Sequence, residues 1–409
     1  MKKILLVNQH TCNHGDESAG MALIRKIKEN NPANLQIDIL YNWYYKLNPK
    51  AHIGNGMEDL KDINHFHYPI NKLDKLIIRL IIKTPSFDSF LLLFSPKLKK
   101  QKKLINKYDT IVSAPGGINL GPYQDWYYLW RLLMVKRANK DLAIYSISFG
   151  PLDGLPNIFR RRAIEVLKYA KFLSLRDDKS HSYADIIGLN YNKAIDTTYL
   201  LKKKVEIPNV YKDLKSKEYV VIVPNELYRW HTYFKTINKS DMDNLYISIM
   251  KHIIDNEDLH VVLLPQMFAD ENDQKYMTRL SGLVNSDRIT VIDDIYNSDE
   301  QQEIIAKSQF VIGARYHTIV FSINNNVPFY ALSYEHKIEN MLSILELRDF
   351  NLDLLSYFKT KMNINDVLCD ISEALNNRKN NQVRINKANI KAMKIVNDTY
   401  QEFQKKISN

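Results

Sequence analysis

The chain has 409 residues, 45% of them hydrophobic and 25% charged, with a net charge of +11. That balance excludes a disordered or fibrous chain and suits a soluble protein of two or three domains. The basic excess is local: 72–107 carries a net +8 and 378–406 a net +6, which leaves −3 for the remainder. An anionic partner (nucleic acid, a phosphorylated substrate or an acidic membrane surface) is therefore to be sought at named segments. Two cysteines, Cys12 and Cys369, make no disulfide framework and point to a reducing cytoplasm. The chain opens like a signal peptide, but its apolar run is short and Asn8-Gln9-His10 ends it. No stretch approaches the roughly 18 apolar residues of a spanning helix, so the expectation is a soluble or peripherally attached protein.

In chain order, short β-branched runs predict strands at 4–7, 37–41, 110–114, 142–148 and 172–175. Helical patterns fall at 16–28, 124–136 and 158–169. The stretch 200–217 is Lys-rich, contains Pro208 and has no period, and reads as a linker. Beyond it, strands are predicted at 219–223, 260–264, 289–292, 310–312 and 329–332, with helices at 241–254 and 318–324. A terminal helix over 384–405 would present Ile390, Met393, Val396 and Phe403 as its apolar side. This alternation predicts an α/β fold: two Rossmann-like domains with parallel sheets, 1–205 and 206–380, facing each other across a cleft, then a C-terminal helix in 381–409. A ligand would sit at the strand C-termini, where helix N-termini face it.

One segment has a further pattern. Leu73, Leu76, Ile77, Leu80 and Ile81 follow helical spacing, with Lys72, Lys75, Arg79 and Lys83 largely opposite. A basic amphipathic helix lying on an anionic membrane and a surface helix buried along that stripe share this pattern. The run Phe90-Leu91-Leu92-Leu93-Phe94 and the lysines of 97–107 favour the membrane.

Candidate chemistry gathers at strand ends. Asn13-His14-Gly15-Asp16-Glu17 follows the first strand; its carboxylates either complement a helix dipole or face the cleft and handle a proton. Gly116-Gly117 follows a buried strand and permits close backbone approach to an anion. Asp125 starts the next helix. Arg176 ends a strand, and is either an anion ligand or the ion-pair partner of Asp177 or Asp178. Arg315-Tyr316-His317 stands at the start of a helix, and the following strand delivers Tyr334, His336 and Lys337 to the same end. Helix dipole, Arg315, His317 and Lys337 can converge on one anion. Asp241-Met242-Asp243 reads as a helix cap, and His65-Phe66-His67 has no partner at metal-ligand spacing.

These blocks in this order, with Ser148-Phe149-Gly150-Pro151 and Asp196-Thr197, resemble the polysaccharide pyruvyl transferase family over roughly 3–345. The resemblance implies a fold like that of GT-B glycosyltransferases and transfer of pyruvate from phosphoenolpyruvate to a sugar, with formation of a ketal and release of phosphate. It places the family's Arg-Leu-His motif on Arg315-Tyr316-His317 and its earlier arginine on Arg176. Tyr316 departs from the usual Leu, and Ile118 from a usual third glycine. The implied roles are a donor side in the second domain and an acceptor side in the first. Arg315, Arg176 and Lys337 would hold the donor, and His317 and Asp16 (or Glu17, or Asp125) would serve as acid and base. Asn13, Gly15, Gly116, Gly117 and Tyr334 would line the substrates. No metal or cofactor is expected beyond phosphoenolpyruvate as co-substrate. The acceptor is a sugar of a surface polysaccharide, free or lipid-linked. A GT-B-type glycosyltransferase using a nucleotide sugar and a non-catalytic polysaccharide-assembly protein are the other readings. A nucleic-acid partner is not expected, since the basic segments carry no such binding motif.

Overall fold

The structure, a computed structural model, describes residues 2–30, 35–43, 57, 60, 62–117, 119–229, 237–268, 272–292 and 296–408. Ile118 lies outside them. The opening apolar run becomes β1 (Lys2–His10), an interior strand of the first sheet. Its companions are β2 (Leu35–Trp43), β3 (His65–Phe66), β4 (Thr110–Ser113), β5 (Asp141–Ile147), β6 (Phe172–Leu175) and β7 (Asn192–Lys193). Their spatial order is β3-β2-β1-β4-β5-β6-β7. The second sheet holds β8 (Tyr219–Val223), β9 (His260–Leu263), β10 (Ile289–Val291), β11 (Phe310–Gly313), β12 (Phe329–Ser333) and β13 (Asn351–Asp353), in the order β10-β9-β8-β11-β12-β13. Every described strand pair is parallel. Residues 220–223 are fully buried, as a strand covered by helices on both faces requires.

Both sheets reverse direction at the same kind of place, between β1 and β4 and between β8 and β11. A doubly wound sheet opens a crevice there at its strand C-termini. The two crevices face each other, giving a GT-B-like pair of domains. The short strands β3, β7 and β13 leave no mark in the sequence, because two or three partly polar residues carry no period.

Several expectations change. The DxD stretch does not cap its helix: Asn238 caps Lys239–Asn256 by accepting the Asp241 N–H at 2.8 Å, and Asp243 pairs with Arg279 at 2.6 Å. The linker is partly packed, since Ile207 and Leu214 are buried. The last helix runs from Arg378 to Ser408, but Ile390 and Met393 are exposed. Its buried seam is Ile385, Ala388, Ala392, Val396, Tyr400, Phe403 and Ile407, and Phe403 packs on Tyr145 and Phe172 of the first sheet. The helix therefore ties the C-terminal end of the chain back to the first domain.

The domains meet along the helix His14–Asn30. Arg25 makes a two-pronged bond to Asp299 at 2.9 and 2.5 Å, and the loops after β1 and β9 pair through His14 N–H to the Gln266 carbonyl at 3.1 Å. His14 is fully buried between Phe268 and Tyr296, with Nδ1 3.0 Å from Gln301 Oε1. Burial pushes its imidazole down to about 3. The unfolded chain therefore binds a proton near pH 6.5 that the folded chain refuses. Stability from this group is complete above pH 6.5 and is lost as pH falls toward 3, on the order of 5 kcal/mol in full. His14→Asn should show a shallower fall of Tm between pH 6.5 and 4 than the wild type; parallel curves would refute the assignment.

Candidate active site

The facing crevices form one cleft lined from both domains by Asn13, Asp16, Gly117, Arg176, Arg315, His317, Tyr334 and Lys337 among others. Eight residues singled out in the sequence thus meet although they come from five strand ends. Four others stand differently. Glu17 is fully buried, with Oε2 4.0 Å from His14 Nε2, and does not line the cleft. Asp125 caps the helix Trp126–Arg137, accepts from Asn42 Nδ2 at 2.9 Å, and lines an adjoining cavity. Gly15 and Gly116 act through their backbones.

Asp196 is the hub of the site. It is fully buried, and Oδ2 accepts from Arg176 Nη1 at 2.7 Å and stands 3.2 Å from His317 Nε2. Its other oxygen accepts the Thr198 N–H at 3.0 Å. Burial by itself would raise this carboxyl, but His317 and Arg176 hold it well below the usual carboxylate range. The ionised carboxylate must accept, so His317 Nε2 carries the proton and Nδ1 is the nitrogen left for chemistry. Arg176 therefore pairs neither with Asp177 nor with Asp178: Asp177 caps the next helix, and Arg176 reaches Asp196 and, through Nε, Ser148 Oγ at 3.2 Å. The departure at Tyr316 has a structural account, because its ring lies 5.0 Å from the Arg176 guanidinium carbon, a cation–π contact that leucine cannot make.

His317 reaches its position because residue 15 has no side chain. A Cβ on Gly15 would stand 1.9 Å from His317 Nδ1. Gly15→Ala should therefore push the imidazole off Asp196 and lower kcat about a hundredfold, with a small loss of Tm. Unchanged kcat would show that the contact is without catalytic consequence. Gly116 has φ +138°, and a Cβ there would meet Asp16 Oδ1 at 2.9 Å. That glycine lets the carboxylate lie against the loop after β4.

The other cations are held from the second domain. Arg315 precedes the helix Tyr316–Asn324, bonds the buried carboxylate of Asp273, and approaches Met267 Sδ at 3.0 Å. Asp273 in turn accepts the N–H groups of Gln266 and Met267 at 3.1 and 2.9 Å. Burial disfavours the charge on Lys337, but Glu335 at 3.3 Å and Tyr123 hold its ammonium above the ordinary lysine range. His10, which in the sequence marks only the end of an apolar run, lines the cleft from the first domain. Burial lowers its imidazole below the ordinary value although Asp16 and Asp125 are near. Three cations and two helix N-termini at one cleft suit a small ligand with more than one negative charge.

Residues 13–336 match the family model for polysaccharide pyruvyl transferase. The chain belongs to that family. The amylovoran biosynthesis protein AmsJ of Erwinia amylovora is 23% identical over 382 residues, covering 87% of this chain and 88% of that one. Among solved structures, one from Listeria monocytogenes assigned as a UDP-N-acetylglucosamine 2-epimerase is similar with TM-score 0.66 and 11% identity, over 99% of this chain and 96% of that one. HepE of Anabaena, in complex with UDP, is similar with TM-score 0.58 and 12% identity over the full length of both. At these identities the likeness is one of fold.

Proposed function

We propose that the protein transfers the pyruvyl group of phosphoenolpyruvate to two hydroxyls of a sugar in a surface polysaccharide or its precursor. The product is a ketal, and phosphate is released. What carries this reading is the convergence of Arg176, Arg315 and Lys337 with the Asp196–His317 pair. Phosphoenolpyruvate brings a carboxylate and a phosphate, which need separate cations, and a methylene carbon, which needs an acid. The family and the relative named for amylovoran biosynthesis support a polysaccharide acceptor.

His317 Nδ1 delivers a proton to the methylene carbon, and the positive charge that develops at the adjacent carbon is oxocarbenium-like. Asp196 stabilises the imidazolium that supplies the proton. A sugar hydroxyl adds to the electron-poor carbon and loses its proton to Asp16. The bond between that carbon and the phosphate oxygen then breaks, its electron pair leaving with phosphate toward the arginines, and a second hydroxyl adds to the same carbon to close the ketal. Of the two hydroxyl protons, one replaces that spent on the methyl group and one leaves with phosphate.

The test is incubation of the purified protein with phosphoenolpyruvate and a panel of glycosides. Phosphate release and the mass gain of a pyruvate ketal on the acceptor are the readouts, and His317→Ala is the inactive control. Release of UDP from a nucleotide sugar, with phosphoenolpyruvate untouched, would replace this reading with glycosyl transfer.

A further inference from the structure

The helix Lys72–Lys83 has two apolar faces rather than the single stripe its spacing suggested. Ile77, Ile78, Ile81 and Ile82 are buried in the first domain, whereas Leu73, Leu76 and Leu80 are 53%, 54% and 38% exposed. The domain core is already served by the isoleucines, so the leucines are not needed for packing. The chain after this helix packs back on it through short helical turns and exposes Phe87, Phe90, Leu93 and Phe94, with the rings of Phe90 and Phe94 5.3 Å apart. Seven of the fifteen exposed large apolar side chains among the described residues thus fall within 73–94. Exposed apolar side chains concentrated in one segment in this way mark an interaction site.

Its charge says with what. Lys72, Lys75, Arg79 and Lys83 are exposed on the same helix, and Lys99, Lys100 and Lys103 on the next one, Pro96–Ile105. The two acids of the segment are turned inward: Asp74 is buried against Asn71 and Ser95, and Asp88 pairs with Lys102 and Arg137. A second copy of the chain would bring two such basic faces together against their repulsion. An anionic bilayer offers both the apolar medium and the opposite charge.

Behind this face lies the cavity that holds Asp125. Lys75, Arg79, His67, Trp126 and Tyr127 line it, and it shares Asn119 and Tyr123 with the catalytic cleft. The Arg79 guanidinium carbon stands 5.8 Å from the Trp126 ring. We propose that the exposed face of 73–94 docks on an anionic lipid bilayer, and that the cavity beside it receives the phosphate-bearing saccharide of an acceptor held in that bilayer. The second clause rests on the proposed function; the docking does not. Among the described residues no helix is long and apolar enough to cross a membrane, so contact is with the surface.

Flotation of the full chain with vesicles tests it. The protein should float with phosphatidylglycerol-containing vesicles and not with phosphatidylcholine alone. Leu76→Ser/Phe90→Ser/Phe94→Ser should cut flotation about tenfold or more. Pyruvyl transfer to a water-soluble glycoside should be unchanged in that variant, while transfer to a vesicle-embedded polyprenyl-phosphate saccharide falls. Equal flotation of both forms, no flotation of the wild type, or a wild-type dimer that the substitutions split would overturn the docking. Flotation without phosphate release from phosphoenolpyruvate would uphold the docking and remove the donor assignment instead. Lys75→Ala/Arg79→Ala should lower transfer to the vesicle-embedded saccharide and leave transfer to the soluble glycoside at the wild-type level; wild-type transfer to the vesicle-embedded saccharide by that variant would overturn the role of the cavity.

Discussion

Asp196→Asn is expected to lower kcat for phosphate release about a thousandfold. The amide keeps the shape of the carboxylate but can donate toward His317 Nε2, which then accepts and moves the proton to Nδ1. Its neutral side chain no longer stabilises the imidazolium form. Arg176 loses its partner at 2.7 Å but keeps its place on Ser148 and Tyr316, so KM for phosphoenolpyruvate should change far less than kcat. The substitution also has a pH signature. Because the folded carboxyl lies below the unfolded value, it contributes stability above about pH 4 that is lost as pH falls through the lower folded value. Asp196→Asn should therefore flatten the acid limb of the stability curve. A kcat within threefold of wild type would reduce Asp196 to a purely structural ion-pair partner.

Arg315→Lys is expected to weaken phosphoenolpyruvate binding and lower kcat/KM by about a hundredfold. Lysine retains the charge that Asp273 needs but loses the planar fork that meets a carboxylate or phosphate with two N–H groups. Arg315→Ala is the less informative change, because it leaves a buried carboxylate without its cation at a cost of about 3–5 kcal/mol. Calorimetric titration with phosphoenolpyruvate, read beside Tm, separates the two effects. An unchanged Kd in a stable Arg315→Lys protein would mean that Arg315 braces the loop after β9 and does not touch the donor.

Much of this protein was legible in its sequence, for identifiable reasons. Strands such as β8 and β11 are buried on both faces, and their unbroken β-branched runs leave one reading. Strands β3 and β7 at the ends of their sheet carry no such run and are silent in the sequence. Asp16, Arg176, Arg315, His317 and Lys337 could be chosen because each follows a strand, and parallel sheets bring all strand ends to one edge. His10 sits at such an end too, and its signal is that of a polar residue closing an apolar strand. In 73–81 the spacing matched two readings, because an apolar stripe does not say which of its residues meet the core. The isoleucines met it and the leucines did not.

The sequence by itself determined the α/β order, the strand ends where chemistry sits, and the location of the basic excess in 72–107 and 378–406. Those are properties of contiguous residues. The tertiary structure decided which charges answer one another. Asp273 lies 42 positions from Arg315, and Asp196 lies 121 from His317. Asp177 and Asp178, next to Arg176 in the chain, face elsewhere. Burial raises the worth of a charge pair and sets its partner by direction rather than by distance along the chain, and direction exists only once the two sheets have closed on each other.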